Sequence, residues 1–153
     1  MAWTTPMTFT VGQILTAAQL NANLSANLNY LRSNATNVVG TSESTASATF
    51  VDLATVGPSV TATTDVQAMV IVSAYMTNSG VNYSTMGFAV SGASTIAATD
   101  SYAVSLIGTN GGRVGVPFFV TGLTAGSNTF KAVYRSGAGT ATFQDRRITV
   151  MPS

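Results

Sequence analysis

From about residue 49 onward the sequence is a succession of short segments in which apolar and polar residues alternate, broken at intervals by glycine, asparagine and serine. A period of two puts successive side chains on opposite faces of an extended chain. Many such segments with turn signals between them are the pattern of an antiparallel sandwich or barrel. The segments fall at 49–56, 59–63, 66–77, 82–91, 101–108, 114–121, 127–136, 139–144 and 146–151. Asn110-Gly111-Gly112 is a tight-turn signal, and Gly80, Gly126 and Gly137 to Gly139 punctuate other joints. The chain is therefore expected to be mainly β over residues 48–153.

Two of these segments say more. In 66–76, Val66, Ala68, Val70, Val72, Ala74 and Met76 share one face, while Gln67, Met69, Ile71, Ser73 and Tyr75 share the other. Both faces are apolar enough to be covered, unlike a strand with one side in water. One face meets the opposite sheet; the other calls for a loop or a second copy of the chain, and Met69, Ile71 and Tyr75 are its contact residues in the second case. In "FQDRRITVMP", Phe143, Ile148 and Val150 cannot all face the core under strict alternation, because 143 and 148 differ by an odd number. One extra residue near Gln144 to Arg146 is needed, as in a bulge. Such a kink gathers Asp145, Arg146 and Arg147, where a charge pair between subunits is one expectation and an exposed charge run the other.

Ahead of the β region, "TAAQLNANLSANLNYL" places Ala17, Leu20, Leu24, Leu28 and Leu31 on one helical stripe. Thr16 and Gln19 have the spacing of a capping box, and a helix is expected over 16–33, ending near Arg32. Its polar face carries no charge before Arg32, so no Glu–Lys pairs support it, and a lone helix of this length is marginal in water. The apolar positions step 3, 4, 4 and 3, closer to an 11-residue repeat than to a heptad, which predicts a nearly straight bundle. Three copies packing Leu20, Leu24, Leu28 and Leu31 round a shared axis is one expectation; the stripe lying flat on another protein is the other. Residues 1–15 form an arm with Trp3, Pro6, Phe9 and Ile14 as bulky points and nothing of its own to bury them against. Residues 34–47, small and polar, read as a linker.

Composition excludes several function classes. Only 7 % of the 153 residues are charged and the net charge is +1, with Arg146 and Arg147 the one basic pair. That is poor material for holding a phosphate backbone, so no free nucleic acid is expected as a partner. No apolar run approaches the roughly 20 residues of a membrane span. The start "MAWTTPMTFT" lacks a basic region and a continuous apolar stretch, so no secretory signal is expected. There is no histidine or cysteine, which removes the commonest bases, metal ligands and nucleophiles. Glu43, Asp52, Asp65, Asp100 and Asp145 are all well separated, and Lys131, the sole lysine, shares a strand face with Arg135. No enzyme, metal or cofactor is expected. "GTNGGRVG" at 108–115 lacks the ending of a phosphate-binding loop and reads as a hairpin turn. Tyr83, Tyr102 and Tyr134 offer sugar-stacking faces only if they cluster at one loop end. A weakly charged surface suits a protein packed against other protein.

The opening "WTTPMTFTVGQILTAAQLNANL" resembles the start of many small virion proteins of tailed bacteriophages, of the minor tail or fibre kind, through Trp3, Pro6, Phe9, Gly12, Leu15, Thr16, Ala17, Ala18, Leu20 and Asn21. The closing "GLTAGSNTFKAVYRSGAGTATFQDRRITVMP" is similar to the last strands of trimeric jelly rolls of the tumour-necrosis-factor and complement globular-head kind. These resemblances imply a jelly-roll β-sandwich in a non-enzymatic homotrimer of the virion, on its tail or its head, assembled in the host cytoplasm. They imply an arm and helix, residues 1–33, held by other virion proteins, and a β domain facing outward. Two further roles remain open: a head-decoration protein, and a tip that binds a host glycan or receptor.

Overall fold

The computed structural model describes residue 5 and residues 7–152, except for the side chains of residues 30–32. Trp3 and Pro6 of the expected anchor, and the side chain of Leu31, lie outside the described residues. The helix opens as its sequence requires: the Thr16 hydroxyl accepts from the Gln19 N–H, and the Gln19 side chain accepts from the Thr16 N–H. It runs as α1 (Ala17–Leu20), a π-helical stretch (Asn21–Ala26) and α2 (Asn27–Arg32). The π stretch is a departure from the regular helix expected, and asparagine is its physical cause. The Asn23 amide donates to the Gln19 carbonyl at 2.8 Å and the Asn27 amide to the Asn23 carbonyl at 3.4 Å. Side chains that take i−4 carbonyls compete with the backbone ladder and widen the turn.

Nine strands follow: β1 (Ala35–Val39), β2 (Glu43–Thr45), β3 (Ser59–Thr64), β4 (Gln67–Asn78), β5 (Tyr83–Gly92), β6 (Ala103–Ile107), β7 (Gly112–Thr121), β8 (Gly126–Ser136) and β9 (Ala141–Pro152). They form two antiparallel sheets. One has the order β1-β9-β4-β7, with β2 also on β9; the other has the order β3-β8-β5-β6. This is a jelly-roll β-sandwich, as expected. Its core is the inward half of each alternation, including Val70, Val72, Met86, Val120 and Ile148. Phe88 stands at the centre, with its ring centroid 5.4 Å from that of Tyr102 and 6.0 Å from that of Phe118.

Four expectations are corrected. Residues 34–47 are not a linker: β1 and β2 pair along β9 and belong to the sheet. Their small β-branched and hydroxyl residues serve as cross-strand partners, with the Thr36 and Thr149 hydroxyls 2.9 Å apart and those of Ser44 and Thr142 2.8 Å apart. Residues 49–56 make no strand beyond a single bridge from Val51 to Tyr134. Val66, expected on the buried face, sits exposed in the turn before β4. The two segments 139–144 and 146–151 are one strand, and the extra residue is where parity requires it. The register passes from Ser73 opposite Arg147 to Tyr75 opposite Gln144, and Asp145 takes a φ of 49°. Phe143, Ile148 and Val150 consequently all face the core with no exposure.

β5 ends at Gly92, where φ is +108° and an added Cβ would run into the backbone carbonyl of Ser127 on β8. Neither the backbone conformation nor the space admits a side chain. Gly92→Ala is expected to lower stability by about 2–3 kcal/mol. Thermal unfolding reads this as a fall of roughly 5–10 °C; an unchanged midpoint would mean that the two strands separate here without cost.

Candidate functional site

Among the described residues no cleft gathers reactive groups, and the surface that stands out is built from the outward half of the β1-β9-β4-β7 sheet. Alternation along β4 sends Ala68, Val70, Val72, Ala74 and Met76 into the core and turns Met69, Ile71, Ser73 and Tyr75 outward. The register then aligns neighbours in rows across the sheet. Met69 lies between Phe119 of β7 and Met151 of β9, and Ile71 between Pro117 and Thr149. Ser73 lies between Gly115 and Arg147, with Val38 of β1 beyond, and Tyr75 between Arg113 and Gln144. Phe119 keeps 56 % of its surface exposed, Met151 40 % and Met69 37 %. The Tyr75 ring occupies the space where Gly111 lacks a side chain. Three strands thus present an apolar band of Phe119, Pro117, Met69, Ile71 and Met151, which the Gly115–Ser73–Arg147 row separates from Tyr75.

Met69, Ile71 and Tyr75 share the outward face of β4, as the alternation predicts. Phe119, Pro117, Met151 and Val38 were missed, although "VGVPFFV" at 114–120 carries the same signal of apolar residues on both faces. The charged trio divides. Asp145 accepts from Arg113 of the same chain at 2.7 Å across exposed surface, and Arg147 is exposed. Arg146, expected at a contact between subunits, is instead buried within its own chain. The bulge at Asp145 is the reason, because the added residue turns position 146 inward. Its guanidinium lies 3.3 Å from Glu43, donates to Thr41 at 2.9 Å, and sits over the Tyr134 ring.

The helix offers a second apolar surface. Gln19, Ala22, Asn23, Ala26 and Asn27 form its least exposed side, where Asn23 accepts from the Met7 N–H at 2.7 Å as the arm folds back. A turn at Thr10 to Gln13 with Gly12 at φ +84° produces that reversal. The leucines lie on the other side, with Leu20, Leu24 and Leu28 each about half exposed (48 %, 53 % and 50 %). The helix thus turns Asn23 and Asn27 to its less exposed side and shows Leu20, Leu24 and Leu28. Phe9 and Ile14 of the arm are exposed too.

The remaining candidates do not converge. Tyr134 is buried and donates to the Gly57 carbonyl, Tyr102 packs edge-on against Phe118, and only Tyr83 is exposed, so the three tyrosines form no common platform. Lys131 pairs with Asp52 at 2.8 Å and Arg135 with Asp100 at 2.8 Å. Among the described residues no three acidic side chains converge to form a metal site, and no helix is long and apolar enough to cross a membrane. Comparison with protein-family models and with curated proteins finds no match for this chain.

Proposed function

We propose that the chain is a non-enzymatic, homotrimeric structural protein of a tailed-bacteriophage particle, a minor tail or fibre component anchored through residues 1–33 with its β domain outward. The observation that carries this reading is the helix, whose Leu20, Leu24 and Leu28 face solvent while Asn23 and Asn27 lie on its less exposed side. An apolar stripe in that orientation gains free energy only from a second molecule, at about 25 cal/mol per Å² removed from water. The apolar band of the sheet supplies a further surface of the same kind, suited to holding copies together. Polarity along the molecule supports the rest. The helix joins the sandwich beside Ala35, Val150 and Pro152, whereas the turns at 79–82, 108–111 and 137–140 lie at the other end of β4, about 27–34 Å away.

That far end favours one additional role, contact with a host surface. Tyr83 and Ile107 are opposed across β5 and β6 there, and both are exposed, as is Val81. Image reconstruction of the intact particle tests the whole reading. Density for the helix against tail proteins supports it, density on the capsid faces makes the chain a head-decoration protein, and absence from the particle overturns it.

Leu24→Asp with Leu28→Asp separates the two partners for the helix. If three helices pack on each other, the purified protein shows a helical circular-dichroism signal that the double variant loses. If wild-type protein free of the particle shows no helical signal, the leucines await another virion protein.

A further inference from the structure

The segment between β1 and β3 crosses from one sheet to the other over the open side of the sandwich. On the first sheet, Glu43 of β2 lies opposite Phe143 of β9. On the second, Val51 bridges to Tyr134 of β8, the Ser136 N–H donates to the Ser47 carbonyl at 2.7 Å, and the Tyr134 hydroxyl donates to the Gly57 carbonyl at 2.8 Å. Only three residues of this crossing are in a strand. Arg146, fully buried beneath it, donates to Thr41 at 2.9 Å and to the Thr55 carbonyl at 3.3 Å, and lies 3.3 Å from a Glu43 oxygen. Thr41, Glu43 and Thr55 all belong to the crossing segment. Glu43 in turn closes the segment on itself, since both its oxygens accept from the Thr55 N–H, at 3.1 and 2.9 Å. The Arg146 Nε has no partner among the described residues.

We propose that residues 40–58 are a strap held shut by the Glu43–Arg146 pair, and that the strap opens as a unit, ahead of the sandwich, when Glu43 loses its charge. Arginine cannot shed its proton to relieve the loss. Neutralising Glu43 therefore leaves a buried cation with one donor already unpaired, and removing one partner of a buried pair is far more costly than lacking the pair. The least costly relief is to admit water at the crossing, which has few ladder bonds to break, while β4, β5 and β8 stay closed.

Among the described residues Glu43 is the carboxylate that lies within ion-pair distance of Arg146. Asp52 is paired with Lys131, Asp145 with Arg113 on the outer side, and Asp100 with Arg135. Burial pushes the Tyr134 phenol up, so it stays neutral in acid. The Thr55 hydrogen bonds hold the Glu43 carboxyl below its usual range, assisted by the Arg146 charge. A depressed value means that the lock is complete above the ordinary glutamate range and is lost as pH falls below it.

Amide hydrogen exchange on the full chain, corrected for intrinsic rates, tests the strap. At neutral pH, peptides covering 40–58 should be protected, and Glu43→Gln should speed their exchange at least about tenfold while residues 67–78 and 83–92 remain unchanged. Wild type should reach the same state in acid. Arg146→Met removes the cation that would be stranded, so its strap should depend on pH less steeply than that of wild type, the Thr55 hydrogen bonds to Glu43 keeping the remainder. Strap exchange in Glu43→Gln equal to wild type, or strap and sandwich opening together, would overturn the proposal. So would a strap in Arg146→Met as strongly acid-dependent as that of wild type; should that variant not fold, the Glu43→Gln comparison decides alone.

Discussion

Replacing Arg146 with alanine is expected to cost the fold about 3–5 kcal/mol, the range for emptying the site of a large, fully buried side chain. The side chain is among the largest that are fully buried, and it is the common partner of Thr41, Glu43 and Thr55. Its removal leaves a void beside Tyr134, whose ring the guanidinium covers at 5.4 Å, and a carboxylate without its cation. Methionine fills much of the same volume without a charge and should cost distinctly less, because an apolar replacement of similar size avoids the void. Chemical denaturation of wild type, Arg146→Ala and Arg146→Met at one protein concentration measures the difference. An alanine variant within 1 kcal/mol of wild type would mean that the pair contributes nothing net to stability.

The second large effect concerns association. Met69→Glu combined with Phe119→Glu should weaken self-association at least about 100-fold, since two carboxylates would have to be buried without partners. The two residues are directly opposed across β4 and β7, and Met151 flanks Met69 on the other side, so the substitutions fall in the middle of the band. Both side chains are exposed in the single chain, which leaves the sandwich free to fold; an unchanged β circular-dichroism spectrum checks that. Light scattering at micromolar concentration should then report a trimer for wild type and a monomer for the variant. A variant that remains trimeric would move the contact away from this face, and a wild-type monomer would remove the trimer.

How much of this was legible depends on the range of each interaction. The Thr16–Gln19 capping box is four residues long and was readable outright. So was the bulge, because the parity of Phe143 and Ile148 within one strand demands it whatever the strand pairs with. The doubly apolar pattern of β4 marked Met69, Ile71 and Tyr75 as one face. The other half of that face was not found, because placing Phe119 and Met151 beside Met69 requires the strand order β9-β4-β7. Residues 34–47 carry too little local β signal to announce β1 and β2, and it is the free edge of β9 that orders them. The π stretch was missed because it depends on how Asn23 and Asn27 choose between solvent and the backbone.

Periodicity and turn chemistry, which act over a few residues, thus determined from the sequence alone that the chain is a β-sandwich led by one capped helix with an apolar stripe. Only the tertiary structure decided that Arg146 points inward to Glu43 rather than outward to a partner, that residues 40–58 bridge the two sheets, and that Leu20, Leu24 and Leu28 lie on the more exposed side of the helix. The physical reason is that these outcomes rest on contacts between distant segments, as between Thr41 and Arg146, 105 residues apart. Contacts of that kind leave no period in the sequence, because the partner that satisfies each group is chosen by strand order and register.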